Sequence, residues 1–316
     1  MKQVIGKANI NIALCKYWGK ADPVLVYPTT TSISFTLDKF YTVTTITAQA
    51  NQDQHTIDIN HKPANAGDVE KVSKFLEHFS DGEKVHVSSI NHVPIKAGLA
   101  SSASAYAALA IAANTYFKKH YEPARLAQVT RFGSGSAARS IFSHFVKWEA
   151  NSDRILPIDA PMMDLGMFVI MIDASEKRIA SRQAMEISKT TSWIYKEWVK
   201  RANEQAQVME AAIKKQDFHQ IGSIAQDNAL SMHMTMMSSK PSIVYFQPET
   251  IEIMHHLLTL QATCKDFYFT MDAGPNIKVL VMHQDKEVVR NKLLKFVTPE
   301  KLIYSHYGRE AHLLEP

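Results

Sequence analysis

Apolar and polar residues alternate over residues 32–37 (SISFTL) and 41–47 (YTVTTIT), and β-branched side chains are prominent in both, so the pattern predicts two strands. Residues 55–60 form a third, shorter strand candidate. The spacing then becomes helical, with Val69, Val72, Phe75, Leu76 and Phe79 on one face, which predicts a helix over 68–79. Alternation returns at 85–90 (VHVSSI). A glycine- and serine-rich turn follows, and an alanine-rich run over 105–113 has high helix propensity. Further helices are expected near 123–131 and over 135–146. An unbroken apolar run over 165–172 predicts a buried strand. Helical spacing dominates from about 190 to 237. Residues 267–270 and 278–282 predict strands on either side of a turn at 272–276, with helices at about 249–261 and 285–296. Strand and helix runs are mixed, so the fold class is α+β, with two layers in each half and a boundary near residue 180, giving domains 1–180 and 181–316.

Composition narrows the class. The chain has 316 residues, 46% of them hydrophobic, enough for a sizeable core and too many for general disorder. Its net charge of +4 comes from 35 basic and 31 acidic residues interspersed along the chain. That distribution argues against a nucleic-acid surface and leaves local basic clusters for an acidic small molecule. The two cysteines, Cys15 and Cys264, are expected as reduced thiols. No apolar run approaches the roughly 18 residues of a membrane span. A soluble cytoplasmic protein with no membrane partner is expected.

Five stretches carry candidate chemistry. Residues 94–104 (PIKAGLASSAS) read as a loop running straight into the alanine-rich helix. Gly98 allows a backbone angle that other residues resist. Ser101, Ser102 and Ser104 are small hydroxylated residues, so an anion can approach the free N–H groups of the first turn. A plain helix start is the competing reading, and the absence of Gly-Lys-Ser/Thr rules out a Walker A loop. Residues 11–20 (NIALCKYWGK) place Lys16, Tyr17 and Lys20 around Trp18 and Gly19, either as phosphate ligands or as a solvated strand end. Residues 133–140 (GSGSAARS) form a second glycine-serine turn, and Arg139 is either a fork for a carboxylate or a surface charge. Ser181 and Arg182 carry little signal alone. Asp272 ends an apolar strand before the turn AGPN. It is either a partly buried acid with a raised pKa, suited to general-base work, or an Asp that hydrogen-bonds its own turn.

Taken together, these motifs resemble a known family. The loop P-x-x-x-G-L-x-S-S-A is similar to that of the GHMP small-molecule kinase superfamily. The series NIAxxKYWGK, GLASSA, GSGSxxRS and FTxDAGPN, in that order from residue 11 to residue 276, resembles the mevalonate diphosphate decarboxylases. Departures are Lys96 beside the loop, Gln183-Ala184 before Met185, and Thr30 where some relatives have Asn. The resemblance implies a GHMP-kinase fold: an N-terminal α+β domain with a left-handed β-α-β unit, a C-terminal ferredoxin-like domain, and the active site in the cleft between them. It implies ATP- and Mg2+-dependent decarboxylation of mevalonate 5-diphosphate to isopentenyl diphosphate, by a homodimer. Asp272 would act on the C3 hydroxyl, Arg139 would bind the substrate carboxylate, and Lys16 would lie near the reacting groups. Tyr17, Lys20, Ser181 and Arg182 would contact the diphosphate, with Ser134, Gly135 and Ser136 at the substrate-facing turn. Lys96, Gly98, Leu99, Ala100, Ser101 and Ser102 would bind ATP. Nothing in the sequence assigns the Mg2+ ligands.

Overall fold

The computed structural model describes residues 2–49, 53–92, 102–172 and 179–315. Its elements in chain order are β1 (Gln3–Cys15), β2 (Lys20–Asp22), β3 (Tyr27–Pro28), β4 (Ser32–Ala48), β5 (Thr56–Ile59), β6 (Lys62–Pro63), α1 (Ala66–Leu76), β7 (Val85–His92), α2 (Ser102–Tyr116), α3 (Pro123–Thr130), β8 (Phe145–Trp148), β9 (Ile155–Pro157) and β10 (Leu165–Ile170). After residue 180 come α4 (Ser181–Thr191), α5 (Tyr195–Lys214), α6 (Phe218–Met237), α7 (Pro248–Gln261), β11 (Phe267–Met271), β12 (Ile277–Met282), α8 (Lys286–Leu293), β13 (Leu302–His306) and β14 (His312–Leu314).

The first sheet runs β14-β1-β4-β7-β5-β6, and β8 pairs with the outer half of β4 and with β9. Its pairs are antiparallel except β5 and β7, which are parallel and joined by the α1 crossover. The two strands expected at 32–37 and 41–47 are one continuous strand. Asp38 and Lys39, in its middle, are exposed, and Asp38 accepts from Ser305 Oγ and from the His306 N–H. Opposite them the pairing to β1 slips between Asn9 and Asn11, a bulge that re-aims the end of β1. The helix expected over 135–146 does not form. Gly135–Ile141 is a 3-10 turn, and the chain then enters β8 at the edge of β4. Glycines at 133 and 135 weaken α-helix propensity there, and the aromatic and β-branched residues at 145–148 suit a half-buried edge.

The alanine-rich helix α2 is buried on nearly every side against β1 and β4. Its small side chains let it lie very close to the sheet. A methyl group on Gly6 would come within 2.4 Å of the Ala108 carbonyl oxygen.

The second sheet is antiparallel, in the order β11-β12-β10-β13. A shared core joins it to the first. Ile10, Ile12, Leu14, Ile33 and Phe35 pack with Leu165, Met167 and Val169 and with Met209 and Ile213 of α5. Each such buried side chain contributes about 1.5–3 kcal/mol, so the two walls of the intervening cleft are firmly coupled. The C-terminal ends of β1 and β11 both open into that cleft.

Candidate active site

One residue past the end of β1 lies Lys16, and one past the end of β11 lies Asp272. Lys16 is 2% exposed. Its Nζ donates to Asp272 Oδ1 at 2.8 Å and to the Ala13 carbonyl at 2.7 Å. Its backbone N–H donates to Asn228 Oδ1 from α6, and its carbonyl accepts from Thr30 Oγ1. A second lysine, Lys278 on β12, reaches Asp272 Oδ2 at 3.1 Å and is also 2% exposed. About a third of the Asp272 side chain stays open to the cleft. Behind it, the buried His233 of α6 contacts the Asp272 carbonyl oxygen at 3.1 Å through Nε2 and stacks on Phe246.

The electrostatics correct one expectation. Burial alone would raise the Asp272 pKa, but the charges and hydrogen bonds of Lys16 and Lys278 outweigh it and hold the carboxyl well below the usual range. Asp272 is therefore ionised at rest at neutral pH rather than an acid tuned upward. Burial lowers the Lys16 pKa, with Asp272 opposing the shift. Burial pushes the His233 imidazole down to about 3, so it is neutral.

Arg139 lies in the 3-10 turn and is 1% exposed, not the surface charge that the sequence left open. It donates to Ser32 Oγ at 2.7 Å and to Asn11 Oδ1 at 3.4 Å, while its Nε has no partner among the described residues. Asn11 in turn donates to the Ser136 carbonyl and to Ser140 Oγ, fixing the turn against β1. Among the described residues no carboxylate forms an ion pair with Arg139, and burial lowers its pKa to about 10, so it is still charged at neutral pH. An unpaired buried guanidinium is costly, and an incoming anion relieves that cost.

Tyr17 is wedged beside this turn. Its ring packs on Trp148 with centroids 5.1 Å apart, and its buried hydroxyl has no partner among the described residues. Burial pushes that hydroxyl up to about 12, with Arg139 and Arg182 acting in the opposite sense. A methyl on Gly135 would sit 2.8 Å from the Tyr17 ring, so only glycine fits there. Lys20, on β2, has its pKa lowered by partial burial and by the neighbouring Arg182. Ser181 and Arg182 open α4. Ser134 Oγ meets Ser136 Oγ at 3.2 Å and Ser102 Oγ, at the head of α2, at 3.3 Å. Lys96, Gly98, Leu99, Ala100 and Ser101 lie outside the described residues.

The geometry thus gathers Lys16, Tyr17, Arg139 and Asp272 in one cleft, with Lys20 and Arg182 further along it. Sequence reasoning missed Lys278 and His233. The only signal for Lys278 was a charge inside an otherwise apolar strand. Among the described residues, one group of metal-ligand type, Asp164, His283 and His306, brings ligand atoms within 4.8 Å. It lies at the far end of the second sheet, since Leu165 pairs with Met282 whereas Met271 pairs with Ile277. Its imidazoles are poorly suited to Mg2+.

Comparison with known proteins agrees with this arrangement. Residues 8–156 match the diphosphomevalonate decarboxylase-like N-terminal domain, and residues 167–314 match the mevalonate 5-diphosphate decarboxylase C-terminal domain. The chain is 30% identical to the diphosphomevalonate decarboxylase of Candida albicans over 95% of its own length and 87% of the relative's. The crystal structure of mevalonate diphosphate decarboxylase from Staphylococcus aureus superposes with a TM-score of 0.94, at 35% identity, over 99% of this chain and 98% of that one. A structure of MDDEF in complex with MVAPP, AMPPCP and magnesium gives the same TM-score at 36% identity, over 99% of both chains. The mixed architecture of helices and sheets is the one these proteins share, and no helix among the described residues is long and apolar enough to cross a membrane. A chain with this cleft, these motifs in this order and such relatives belongs to the mevalonate diphosphate decarboxylase family.

Proposed function

We propose that this protein catalyses the ATP- and Mg2+-dependent decarboxylation of mevalonate 5-diphosphate to isopentenyl diphosphate, ADP, phosphate and CO2, a step of isoprenoid biosynthesis. The observation that carries this reading is Arg139, a buried guanidinium with no carboxylate partner among the described residues, in the same cleft as an anionic Asp272. Such a pair suits a substrate that presents a carboxylate and a hydroxyl on neighbouring carbons. The relative that binds MVAPP, AMPPCP and magnesium supports the choice of ligands.

MgATP, when bound, supplies the phosphoryl group that converts the C3 hydroxyl into a leaving group. Asp272 accepts a hydrogen bond from that hydroxyl, aims its oxygen and takes up its proton. Because its pKa is depressed, its main contribution is orientation, and phosphoryl transfer through a loose transition state depends chiefly on positioning and charge. Lys16 balances the carboxylate and adds positive charge where the transferred group arrives. Arg139 holds the substrate carboxylate in place until the C–C bond breaks. Positive charge develops at C3 as phosphate departs, and the electrons of the breaking C–C bond form the alkene as CO2 leaves. Tyr17, Lys20, Ser181 and Arg182 hold the diphosphate. Ser134, Gly135 and Ser136 line the turn beside the substrate, and Ser102 heads the helix next to the ATP loop, for which Lys96, Gly98, Leu99, Ala100 and Ser101 are the candidates. The protein works in the cytoplasm, in keeping with two free cysteines, and as a homodimer, in keeping with large exposed apolar residues such as Trp193 and Val244.

The test uses the purified protein with ATP, Mg2+ and mevalonate 5-diphosphate labelled at the carboxyl carbon. One labelled CO2 and one free phosphate are expected per ADP. ADP formed with the label retained in solution would identify a 3-kinase instead, and no ADP at all would leave only a nucleotide-binding protein.

A further inference from the structure

We propose that Lys278 is a positioning residue for phosphoryl acceptance: it clamps Asp272 Oδ2 so that the open side of the carboxylate faces the substrate hydroxyl. This rests on the decarboxylase reading of the cleft. The argument begins with where Lys278 sits. It lies in β12 among Ile277, Val279, Leu280 and Val281, all buried, and is itself 2% exposed. A lysine in such a strand is destabilising unless its ammonium is satisfied. Its partners are Asp272 Oδ2 at 3.1 Å and the Asn276 carbonyl at 3.3 Å.

Charge balance adds the second step. Lys16 on Oδ1 already neutralises Asp272. Among the described residues, a second buried ammonium leaves this corner with surplus positive charge, which desolvation penalises. Structural pairing accounts for one lysine and not for two. An anionic ligand in the cleft accounts for both.

Geometry supplies the third. The two lysines approach from different elements, one past the end of β1 and one on β12, and take one oxygen each. A carboxylate pinned at both oxygens cannot swing about its terminal torsion. Of its roughly four lone-pair directions, those not taken by the lysines remain on the part open to the cleft.

Among the described residues, the groups facing Asp272 are Lys16 from the end of β1, Lys278 from β12, the neutral His233 from α6 and Arg139 from the 3-10 turn, with the Cys15 thiol beside Lys16, pushed up to about 12 by burial. Removing one of the two adjacent cations raises the Asp272 pKa, because burial then meets less opposition.

The test compares Lys278→Met and Lys278→Arg with wild type, reading ADP formation from ATP, Mg2+ and mevalonate 5-diphosphate at pH 7.5, with kcat expressed per folded protein from circular dichroism. For Lys278→Met, kcat is expected to fall about ten- to hundred-fold, the usual effect of losing one charge-assisted hydrogen bond, with KM for mevalonate 5-diphosphate within about threefold of wild type. Lys278→Arg, which keeps the charge and a donor for Oδ2, should recover most of that kcat. A merely structural role would lower the folded fraction and leave kcat per folded protein unchanged. Wild-type kcat in Lys278→Met, or a kcat in Lys278→Arg as low as in Lys278→Met, overturns the proposal. If Lys278→Met does not fold, Lys278→Gln is read against the same outcomes. Wild-type ADP formation without CO2 would refute the decarboxylase reading yet leave the Lys278 comparison intact.

Discussion

His233 shows how one buried side chain sets the response of the whole fold to acid. The Asp272 carbonyl is an acceptor, so the Nε2 that contacts it carries the hydrogen. Burial holds the imidazole near 3, whereas an unfolded chain titrates near 6.5. Below pH 6.5 the unfolded chain therefore binds a proton that the folded one refuses, and stability falls as pH drops toward 3. One such proton is worth about 1.4 kcal/mol per pH unit, so about 2 kcal/mol is lost by pH 5. Asp272 behaves differently in that window. Its folded pKa lies below its unfolded value, so its contribution is intact above pH 4 and is lost only on further acidification through the folded pKa. His55, His78 and His144 are depressed too, chiefly by burial, so the informative quantity is a difference. Urea unfolding at pH 7.5, 6 and 5 should show His233→Gln less stable than wild type at pH 7.5, with a slope against pH shallower by about one proton. Parallel slopes would mean that His233 is protonated inside the fold. Lys278 and His233 escaped the sequence reading for the same reason: a single polar residue inside an apolar strand or a methionine-rich helix gives no periodic signal, and its partner lies far away in sequence.

At the level of elements, the 3-10 turn Gly135–Ile141 is the part whose shape matters most to the cleft. It presents Arg139 on one side and makes room for the Tyr17 ring at Gly135 on the other. Gly135→Ala places a methyl 2.8 Å from the Tyr17 ring, and that ring is backed by Trp148 and has little room to retreat. KM for mevalonate 5-diphosphate is expected to rise about tenfold or more, with KM for ATP changed less and the melting temperature lowered by only a few degrees. An unchanged substrate KM in steady-state assays would remove Tyr17 and this turn from the substrate site. The turn also marks the limit of sequence reading at this scale. Where side chains repeat with a clear period, the expected elements form nearly in place: 68–79 is α1, 123–131 is α3, 249–261 is α7 and 165–172 is β10. Where glycine and serine dominate, period carries no information, and a helix expected over 135–146 is instead a tight turn plus the strand β8. The short strands β9, β13 and β14 left no expectation at all, because their residues show no clear alternation and pairing with distant strands decides them. Candidate chemistry was more legible than these elements. Lys16, Tyr17, Arg139 and Asp272 stand in compact motifs, whereas their convergence depends on contacts across more than a hundred residues, such as Lys16 with Asp272.

Across the whole molecule, the proposed reaction separates two jobs by distance along the cleft. Asp272, one residue past β11, and Lys278, on β12, would stand where the reaction takes place. Tyr17, Lys20 and Arg182 stand further along, on the segment after β1, on β2 and on α4. The shared core of β1, β4, β10 and α5 ties the two groups together, so grip at one end fixes geometry at the other. Binding energy gained on a remote, non-reacting part of a substrate holds the reacting atoms in line, and its loss lowers kcat as well as affinity. The 5-diphosphate end is such a part. Mevalonate 5-monophosphate would meet the same Asp272 and Arg139 but forgo contacts with part of the Lys20, Arg182 and Tyr17 group. Its C3 hydroxyl would then sample positions away from the Asp272 carboxylate. The expected outcome is a kcat for the monophosphate at least tenfold below that for the diphosphate, and a KM at least tenfold above it. Lys20→Ala should shrink the difference between the two substrates, because it removes a contact that only the longer substrate uses fully. Steady-state assays of both substrates with both proteins, read as CO2 release, check this. Equal kcat for the two substrates in the wild type would show that the far end of the cleft contributes nothing to positioning, and an undiminished difference in Lys20→Ala would place the diphosphate elsewhere.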